Sequence, residues 1–204
     1  MTTLILDTST QKSIVILSEK DKVLIVKKIE GGQLSSKQLF FMIDAAFQEC
    51  GRGQADLKKV GIGVGPGSFT GTRVGVSAAK GIAFGRPLEL IPFSSLSGFI
   101  SQKEGLFASL IDARLGGAYM MLQRRRGDVI EEVTPPKLYS LEELSGLLTE
   151  CEEVVGPHFH ADFAFLNQRE LFPDAAHLAH LVEMKKNREQ ERVSVLYLRD
   201  LYPC

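Results

Sequence analysis

The segment from Gly63 to Arg86 constrains the fold of this chain more than any other stretch of its sequence. It opens with a loop that is too rich in glycine for regular structure: Gly63, Gly65, Pro66 and Gly67. Small residues then recur at the helical spacing of three and four: Gly71, Gly75, Ala78, Ala79 and Ala83. A glycine inside a helix costs up to ~1 kcal/mol relative to alanine, so tight packing or a contact between backbone and ligand has to offset that cost.

Three interpretations of this loop stay open from the residues alone. A glycine-rich loop before a helix can bind phosphate through backbone N–H groups and the helix dipole, although the spacing here is neither that of a P-loop nor Gly-x-Gly-x-x-Gly. Ser68 could be a nucleophile on a strand-to-helix turn, but Gly71 follows one residue too late for Gly-x-Ser-x-Gly. The third interpretation is a structural turn, with Ser68 or Thr70 as the N-cap of a helix that docks a partner.

The composition is that of an ordinary globular protein. The 204 residues are 44% hydrophobic and 24% charged, and the formal net charge of −1 argues against a stand-alone nucleic-acid binder. The sequence shows neither a run of transmembrane length nor a signal peptide, so we expect a cytoplasmic protein without membrane association. Cys50, Cys151 and Cys204 are odd in number and unrelated in spacing, which is typical of reduced thiols.

Apolar runs predict two halves that begin alike. The first half has three strands, a helix from about Leu34 to Cys50, a strand, the small-residue helix and a last strand, and ends near residue 102. Its first strand ends at Asp7, which could face a phosphate or metal or could close a local Asx-turn. In the second half a strand over Leu106 to Ile111 again ends in an aspartate, Asp112, which could also pair with Arg114 at the surface.

Four motifs, in the same order and spread over nearly the whole chain, resemble the signature of the TsaB (YeaZ) family. They are Gly65-Pro66-Gly67-Ser68-Phe69-Thr70-Gly71-x-Arg73-x-Gly75, Leu6-Asp7-Thr8-Ser9-Thr10, Ile111-Asp112-Ala113-Arg114 with Tyr119, and Tyr197-Leu198-Arg199. One position departs from the family, because Ser35 stands where relatives usually carry a histidine. In the related TsaD proteins this region supplies two metal-binding histidines, so their absence argues against a metal site in this chain.

The resemblance implies an α/β fold with two actin-like (ribonuclease H-like) lobes, the second of them truncated. We expect the first lobe to span residues 1–102 and to carry the dimerisation helices, and the smaller second lobe to span residues 103–204. In the actin-like superfamily the first turn of each lobe faces nucleotide phosphates. The residues that could face a nucleotide or phosphate here are Asp7, Thr8, Ser9, Gly65, Gly67, Ser68 and Asp112.

The turn after Asp112 departs from that of an active actin-like kinase. It contains Arg114 and lacks the hydroxyls of a second phosphate loop, which weakens the case for independent ATP hydrolysis. The four histidines, His158, His160, His177 and His180, lack supporting acidic residues, so we predict no metal site. The run Arg124 to Arg126 precedes a Gly-Asp turn, which indicates a solvated hairpin tip, although contact with tRNA phosphates stays open.

The resemblance also implies a function. Proteins of this family pair with TsaD and with the ATPase TsaE to form the threonylcarbamoyl group on the adenosine next to the anticodon (adenosine 37) of tRNAs that read codons beginning with A. We therefore expect a non-catalytic scaffold subunit of a tRNA threonylcarbamoyl transferase complex, with no catalytic residue and no activity alone. It would bind no cofactor by itself; ATP or ADP and a metal would belong to the complex with TsaD and TsaE.

The family implies that two first-lobe helices form the partner interface, and a homodimer when TsaD is absent. The predicted interface residues are Leu39, Met42, Ile43, Ala46, Val74, Gly75, Ala78 and Ala79. They recur at helical spacing, which would suit a four-helix contact. How Ser35 alters that contact, whether the homodimer is physiological, and whether a nucleotide binds at the junction with TsaD are left open by the sequence.

Two alternative functions belong to other classes. An independent actin-like small-molecule kinase or ATPase would turn over ATP alone. A peptidase, suggested by an old glycoprotease label of the wider family, would need a metal or serine centre, and the sequence shows neither.

Overall fold

The computed structural model describes residues 1–31, 34–114, 117–159, 163, 168–185 and 193–198. The strands are β1 (Thr2–Asp7), β2 (Lys12–Glu19), β3 (Lys22–Glu30), β4 (Leu57–Gly63), β5 (Glu89–Phe93), β6 (Gly105–Asp112), β7 (Gly117–Arg126), β8 (Val129–Glu132), β9 (Lys137–Ser140), β10 (Glu153–Gly156) and β11 (Gln168–Glu170). The α-helices are α1 (Ser36–Cys50), α2 (Phe69–Ala83), α3 (Leu141–Leu147) and α4 (Ala175–Met184).

The first sheet has the strand order β3-β2-β1-β4-β5 and is covered on both faces. β1 pairs antiparallel with β2 and parallel with β4. Leu4 and Leu6 point to the face that α1 and α2 cover, whereas Ile5 between them packs in the cluster that α4 completes. Burial on both faces explains why this strand is an unbroken apolar run rather than an alternating one.

The second sheet has the order β11-β10-β6-β7-β8, with β9 paired to another part of β7. One of its faces packs against α3, with Leu110, Met120 and Leu144 among the buried residues. The other face holds Phe99 and Phe107. Two sheets with these helices confirm the predicted α/β class with two lobes.

Two pieces of the second half lie against the first sheet. Helix α4 packs its Leu178, Ala179 and Val182 on the face opposite α1 and α2. Val193 belongs to the other core of the same sheet, on the side of α1 and α2. The predicted lobe boundary near residue 102 falls between β5 and β6. Because α4 and Val193 of the second half pack against the first sheet, this boundary stays a prediction.

Some sequence expectations can be compared with the structure directly. The run Arg124 to Arg126 ends β7 at a hairpin turn, as predicted, and Arg125 donates from Nη1 to the carbonyl of Ser101 at 2.7 Å. His160, Arg199 and Cys204 lie outside the described residues.

Helices long and apolar enough to cross a membrane are absent from the described part of the chain.

Candidate functional site

A cleft of about 310 Å³ opens where the two sheets meet. Its walls come from the β1–β2 turn, the start of α2, the end of β6 with the turn after it, and the loop after β10. The lining residues are Ser9, Thr10, Gln11, Gly67, Ser68, Phe69, Thr70, Ile111, Asp112, Ala113, Arg114, Tyr119, Pro157 and His158. Because each sheet contributes the turn after its first strand, the cleft corresponds to the place where the sequence predicts phosphate-facing residues.

The start of α2 is held against the β1–β2 turn. Ser68 is the N-cap: its Oγ accepts a hydrogen bond from Gly71 N at 3.2 Å, and its backbone N–H donates to the carbonyl of Ser9 at 2.6 Å. A Cβ on Gly71 would lie 2.2 Å from the carbonyl oxygen of Thr8, so only glycine permits this approach. The glycine-rich segment is therefore a structural turn with Ser68 as N-cap, and the same helix end lines the cleft.

Asp7 is buried beside the cleft and is absent from its lining. Its Oδ1 accepts hydrogen bonds from the backbone N–H of Ser9 at 2.9 Å and from Ser9 Oγ at 2.7 Å. Its Oδ2 is buried without a hydrogen-bond partner among the described residues. The carboxyl group lies against Gly63, where a Cβ would be 2.4 Å from Asp7 Cγ. Burial raises the pKa of Asp7 above its usual range, although the hydrogen bonds from Ser9 oppose the rise.

Asp7→Asn is expected to make the protein more stable relative to wild type as the pH rises. Because the pKa of Asp7 is raised in the folded state, the folded wild type holds the proton more tightly, and its free energy of unfolding falls as pH rises from the unfolded pKa of about 3.9 through the folded pKa. Asparagine keeps the Oδ1 acceptor for Ser9 and cannot ionise. Thermal unfolding of both proteins between pH 4 and pH 8 measures the difference.

The matched control is Asp128→Asn, an exposed carboxylate in the hairpin turn after β7. Burial, the cause of the raised pKa at Asp7, is absent there. A constant difference in melting temperature between Asp7→Asn and wild type across this pH range would show that the titration of Asp7 does not influence stability.

The predicted phosphate-facing residues divide into two groups. Four line the cleft: Ser9, Gly67, Ser68 and Asp112. Asp7, Thr8 and Gly65 do not line it; Thr8 Oγ1 donates to the carbonyl of Gly71 at 2.6 Å, and Gly65 N donates to Ser95 Oγ at 3.2 Å. Asp7 Oδ1 and the Thr8 hydroxyl are therefore engaged inside the fold, and contact of these two residues with a phosphate or metal stays a prediction.

The wall of the cleft that the second lobe forms also contains residues that were not predicted to face a phosphate. Asp112 Oδ1 accepts from the backbone N–H of Arg114 at 2.7 Å and so closes a local turn, whereas the alternative predicted for Asp112 was an ion pair with the Arg114 side chain. Tyr119 on β7 and His158 after β10 also face the cleft. Tyr119 and Arg114 belong to a motif that was visible in the sequence, but the position of His158 depends on the pairing of β10 with β6.

The histidines are the candidate metal ligands of the sequence, and His158 and His177 illustrate their surroundings in the structure. His158, which lines the cleft, has its Nδ1 2.9 Å from Glu170 Oε1. His177 is in the first turn of α4, and burial lowers its pKa. No cluster of three or more His, Cys, Asp or Glu side chains that could hold a metal ion occurs within the described residues.

The predicted partner interface lies largely inside the molecule. Leu39, Met42, Ile43, Ala46, Ala78 and Ala79 are buried in the core that α1 and α2 form with the first sheet. Val74 is partly buried against the same core. Gly75 is buried where a Cβ would lie 2.5 Å from Thr8 Oγ1.

The exposed face of the two helices consists mostly of other residues, although Val74 and Ala78 of the predicted interface also reach it. Four phenylalanines on or next to α1 and α2 are exposed: Phe40 by 48%, Phe41 by 64%, Phe69 by 45% and Phe84 by 88%. Between the helices runs a groove of about 440 Å³, which we call the α1/α2 groove. It is lined by Ser36, Phe40, Phe69, Thr70, Arg73, Val74, Ser77 and Ala78. An exposed apolar surface of this kind is typical of a protein–protein contact.

Comparison with known proteins agrees with this architecture. The model of the family described as TsaD, tRNA N6-adenosine threonylcarbamoyltransferase, matches residues 29–187. A Haemophilus influenzae protein named tRNA threonylcarbamoyladenosine biosynthesis protein TsaB is 36% identical over 126 residues, which cover 58% of this chain and 52% of that protein. The Bacillus subtilis protein of the same name is 28% identical over 158 residues, covering 76% and 69%. The match with the first of these relatives therefore spans about half of its length.

Two solved structures share the fold. YeaZ from Pseudomonas aeruginosa superposes with a TM-score of 0.79 at 22% identity, covering 97% of this chain and 99% of that one. A second Pseudomonas aeruginosa structure, described as an uncharacterized protein with similarity to peptidase YEAZ, gives a TM-score of 0.82 with the same identity and coverage. The two-lobed arrangement is thus that of the YeaZ structures.

Proposed function

This chain belongs to the TsaD family, and on that premise we propose that it is the non-catalytic scaffold partner of a TsaD protein in tRNA modification. The reaction is the formation of the threonylcarbamoyl group on the adenosine next to the anticodon. TsaE is a further proposed partner, and tRNA binds to the complex of these proteins. The names of the Haemophilus influenzae and Bacillus subtilis relatives support this assignment.

The exposed aromatic face of α1 and α2 is the observation that carries the proposal. Phe40 and Phe69 line the α1/α2 groove, and Phe41 lies beside Phe40 on the outer side of α1. The buried sides of both helices already form the core with the first sheet, so these rings are additional to what the fold itself requires. Aromatic residues concentrate in the centres of protein interfaces, where they contribute most of the binding energy.

Nucleotide and metal, in this proposal, belong to the complex and not to the isolated chain. The position of Asp7 supports this: its carboxyl group lies against Gly63 beneath the cleft and is engaged by Ser9. The chain's contribution is then to present a rigid surface to TsaD. The same surface would join two copies of the chain when TsaD is absent.

Size-exclusion chromatography with light scattering tests the proposal directly. The chain is measured alone and with TsaD from the same organism, and ATP hydrolysis is assayed on each peak. We expect a dimer alone, a one-to-one complex with TsaD, and no ATP turnover by the lone chain. Failure to form the complex, or ATP turnover by the lone chain, would instead favour an independent actin-like kinase or ATPase.

A further inference from the structure

Two side chains of α2 and one from a distant part of the sequence form a stacked cluster at the edge of the α1/α2 groove. Arg73 lies one helical turn after Phe69 on α2, with its Cζ 3.7 Å from the centre of the Phe69 ring. Arg73 Nε donates to Tyr197 Oη at 2.9 Å, and the rings of Phe69 and Tyr197 are 5.9 Å apart. A guanidinium group held between an aromatic face and a hydroxyl loses much of its rotational freedom.

The residues directly before Tyr197 are held against the first sheet and its helices. Leu196 N donates to the carbonyl of Val64 at 2.8 Å, directly before the glycine-rich loop. Val193 is buried in the core of α1 and α2, and Val195 and Leu196 pack against it. We call residues 193–198 the strap. Since these contacts anchor the strap directly before Tyr197, they bring the Tyr197 hydroxyl to Arg73 in a defined position.

Arg73 is the only charged residue that lines the α1/α2 groove within the described part of the chain. Its neighbours there are apolar or carry hydroxyls: Phe40, Phe69, Val74 and Ser77. Arg73 Nε donates to Tyr197, and its terminal amino groups make no hydrogen bond to another described residue. A positioned guanidinium surrounded by apolar surface is suited to a carboxylate that approaches the terminal amino groups.

We propose that Arg73 is the residue that determines partner specificity in the α1/α2 groove, where it pairs with a carboxylate on an apolar helix surface of the partner, and that the strap positions it through Tyr197. This inference rests on the proposed function, because it concerns the same face. The carboxylate comes from TsaD and not from a second copy, although the aromatic residues of the same face would still join two copies when TsaD is absent. No acidic side chain lines this groove, so two copies that meet groove to groove bring two Arg73 side chains together without a carboxylate.

Isothermal titration calorimetry at two salt concentrations tests the inference. It measures how tightly four proteins bind TsaD from the same organism: wild type, Arg73→Gln, Tyr197→Phe and the double variant. Loss of a charge-assisted pair predicts about 10- to 100-fold weaker binding for Arg73→Gln, with a smaller dependence on salt. Tyr197→Phe keeps the ring and removes only the hydroxyl, so we expect about 3- to 10-fold weaker binding. In the Arg73→Gln background, Tyr197→Phe is expected to have no further effect. The matched control is Arg126→Gln, an exposed arginine at the hairpin of the second sheet, paired with Glu131.

Each outcome decides between named alternatives. Wild-type affinity in Arg73→Gln, with TsaD still bound by the wild-type chain, overturns the inference and leaves the proposed function standing. Additive losses in the double variant show that Tyr197 does not act through Arg73 and overturn the role of the strap. If Arg73→Gln changes the oligomeric mass of the chain measured without TsaD but leaves the affinity for TsaD unchanged, a second copy and not TsaD contacts Arg73 in the groove, and the inference is overturned. No binding of TsaD by the wild-type chain overturns the proposed function and this inference together.

Discussion

Replacing Phe40 and Phe41 together by aspartate is expected to weaken association with TsaD by at least about 100-fold while the chain stays folded. The rings are exposed by 48% and 64%, so the substitution removes little from the protein's own core. At an interface, truncating a central aromatic residue costs about 2–4 kcal/mol, and a factor of ten in affinity corresponds to about 1.4 kcal/mol. Two buried aspartates without partners would add to that loss.

Titration calorimetry gives the affinity, and circular dichroism with thermal unfolding shows whether the fold is kept. The matched control is Val129→Asp, which places a charge on an apolar residue that is 58% exposed, on β8 of the second sheet. We expect the control to bind TsaD as wild type does. Wild-type affinity in the double variant would mean that TsaD does not use this face of α1, and the proposed mode of docking would have to be abandoned.

Gly71→Ala is expected to destabilise the protein by about 3 kcal/mol, at the upper end of what overpacking costs. A Cβ at this position would lie 2.2 Å from the carbonyl oxygen of Thr8, and that oxygen belongs to backbone in a buried turn. The helix can relieve the clash only by moving away from the β1–β2 turn, which would strain the hydrogen bond from Thr8 Oγ1 to the carbonyl of Gly71 and the bond from Ser68 N to Ser9. For a chain of this size, about 3 kcal/mol corresponds to a melting temperature lower by roughly 6–12 °C.

The same helix provides the control for this prediction. Gly81 is exposed on α2, and a Cβ there would meet nothing within 4 Å. Gly81→Ala is therefore expected to stabilise the protein by up to ~1 kcal/mol through helix propensity alone. Chemical denaturation of both variants gives the two free energies of unfolding. Equal effects of the two substitutions would mean that the approach of α2 to the β1–β2 turn is not what requires glycine at position 71.

The sequence predicted the elements and their order because those depend on local patterns. The apolar run of β1, the β7–β8 hairpin and the helix of small residues were each visible from periodicity and turn residues. Ser68 as N-cap was likewise one of the two candidates that local chemistry allowed. The similar first turns of the two halves led to the two lobes. Ser9 and Asp112 of these turns line the cleft together with Gly67 and Ser68 of the glycine-rich loop, and their contact with a phosphate stays a prediction.

Side-chain direction at the first turn was decided by tertiary structure. Asp7 ends a strand as the sequence indicates, but its carboxyl group lies against Gly63 because β1 and β4 pair in parallel and end side by side. No local pattern carries that information, since the two residues are 56 positions apart. Burial of the carboxyl group between paired strands, which raises the pKa of Asp7, is a consequence of this tertiary arrangement and not of the residues next to it in the chain.

The sequence determined by itself which apolar residues of α1 share a face, and only the tertiary structure decided what that face covers. Spacing placed Leu39, Met42, Ile43 and Ala46 on one side of the helix, and a partner interface was predicted there. In the fold this side covers the first sheet, which leaves Phe40 and Phe41 on the outside. The physical reason is that periodicity identifies which residues share a face, whereas what covers the face depends on strands and helices that are distant in the chain.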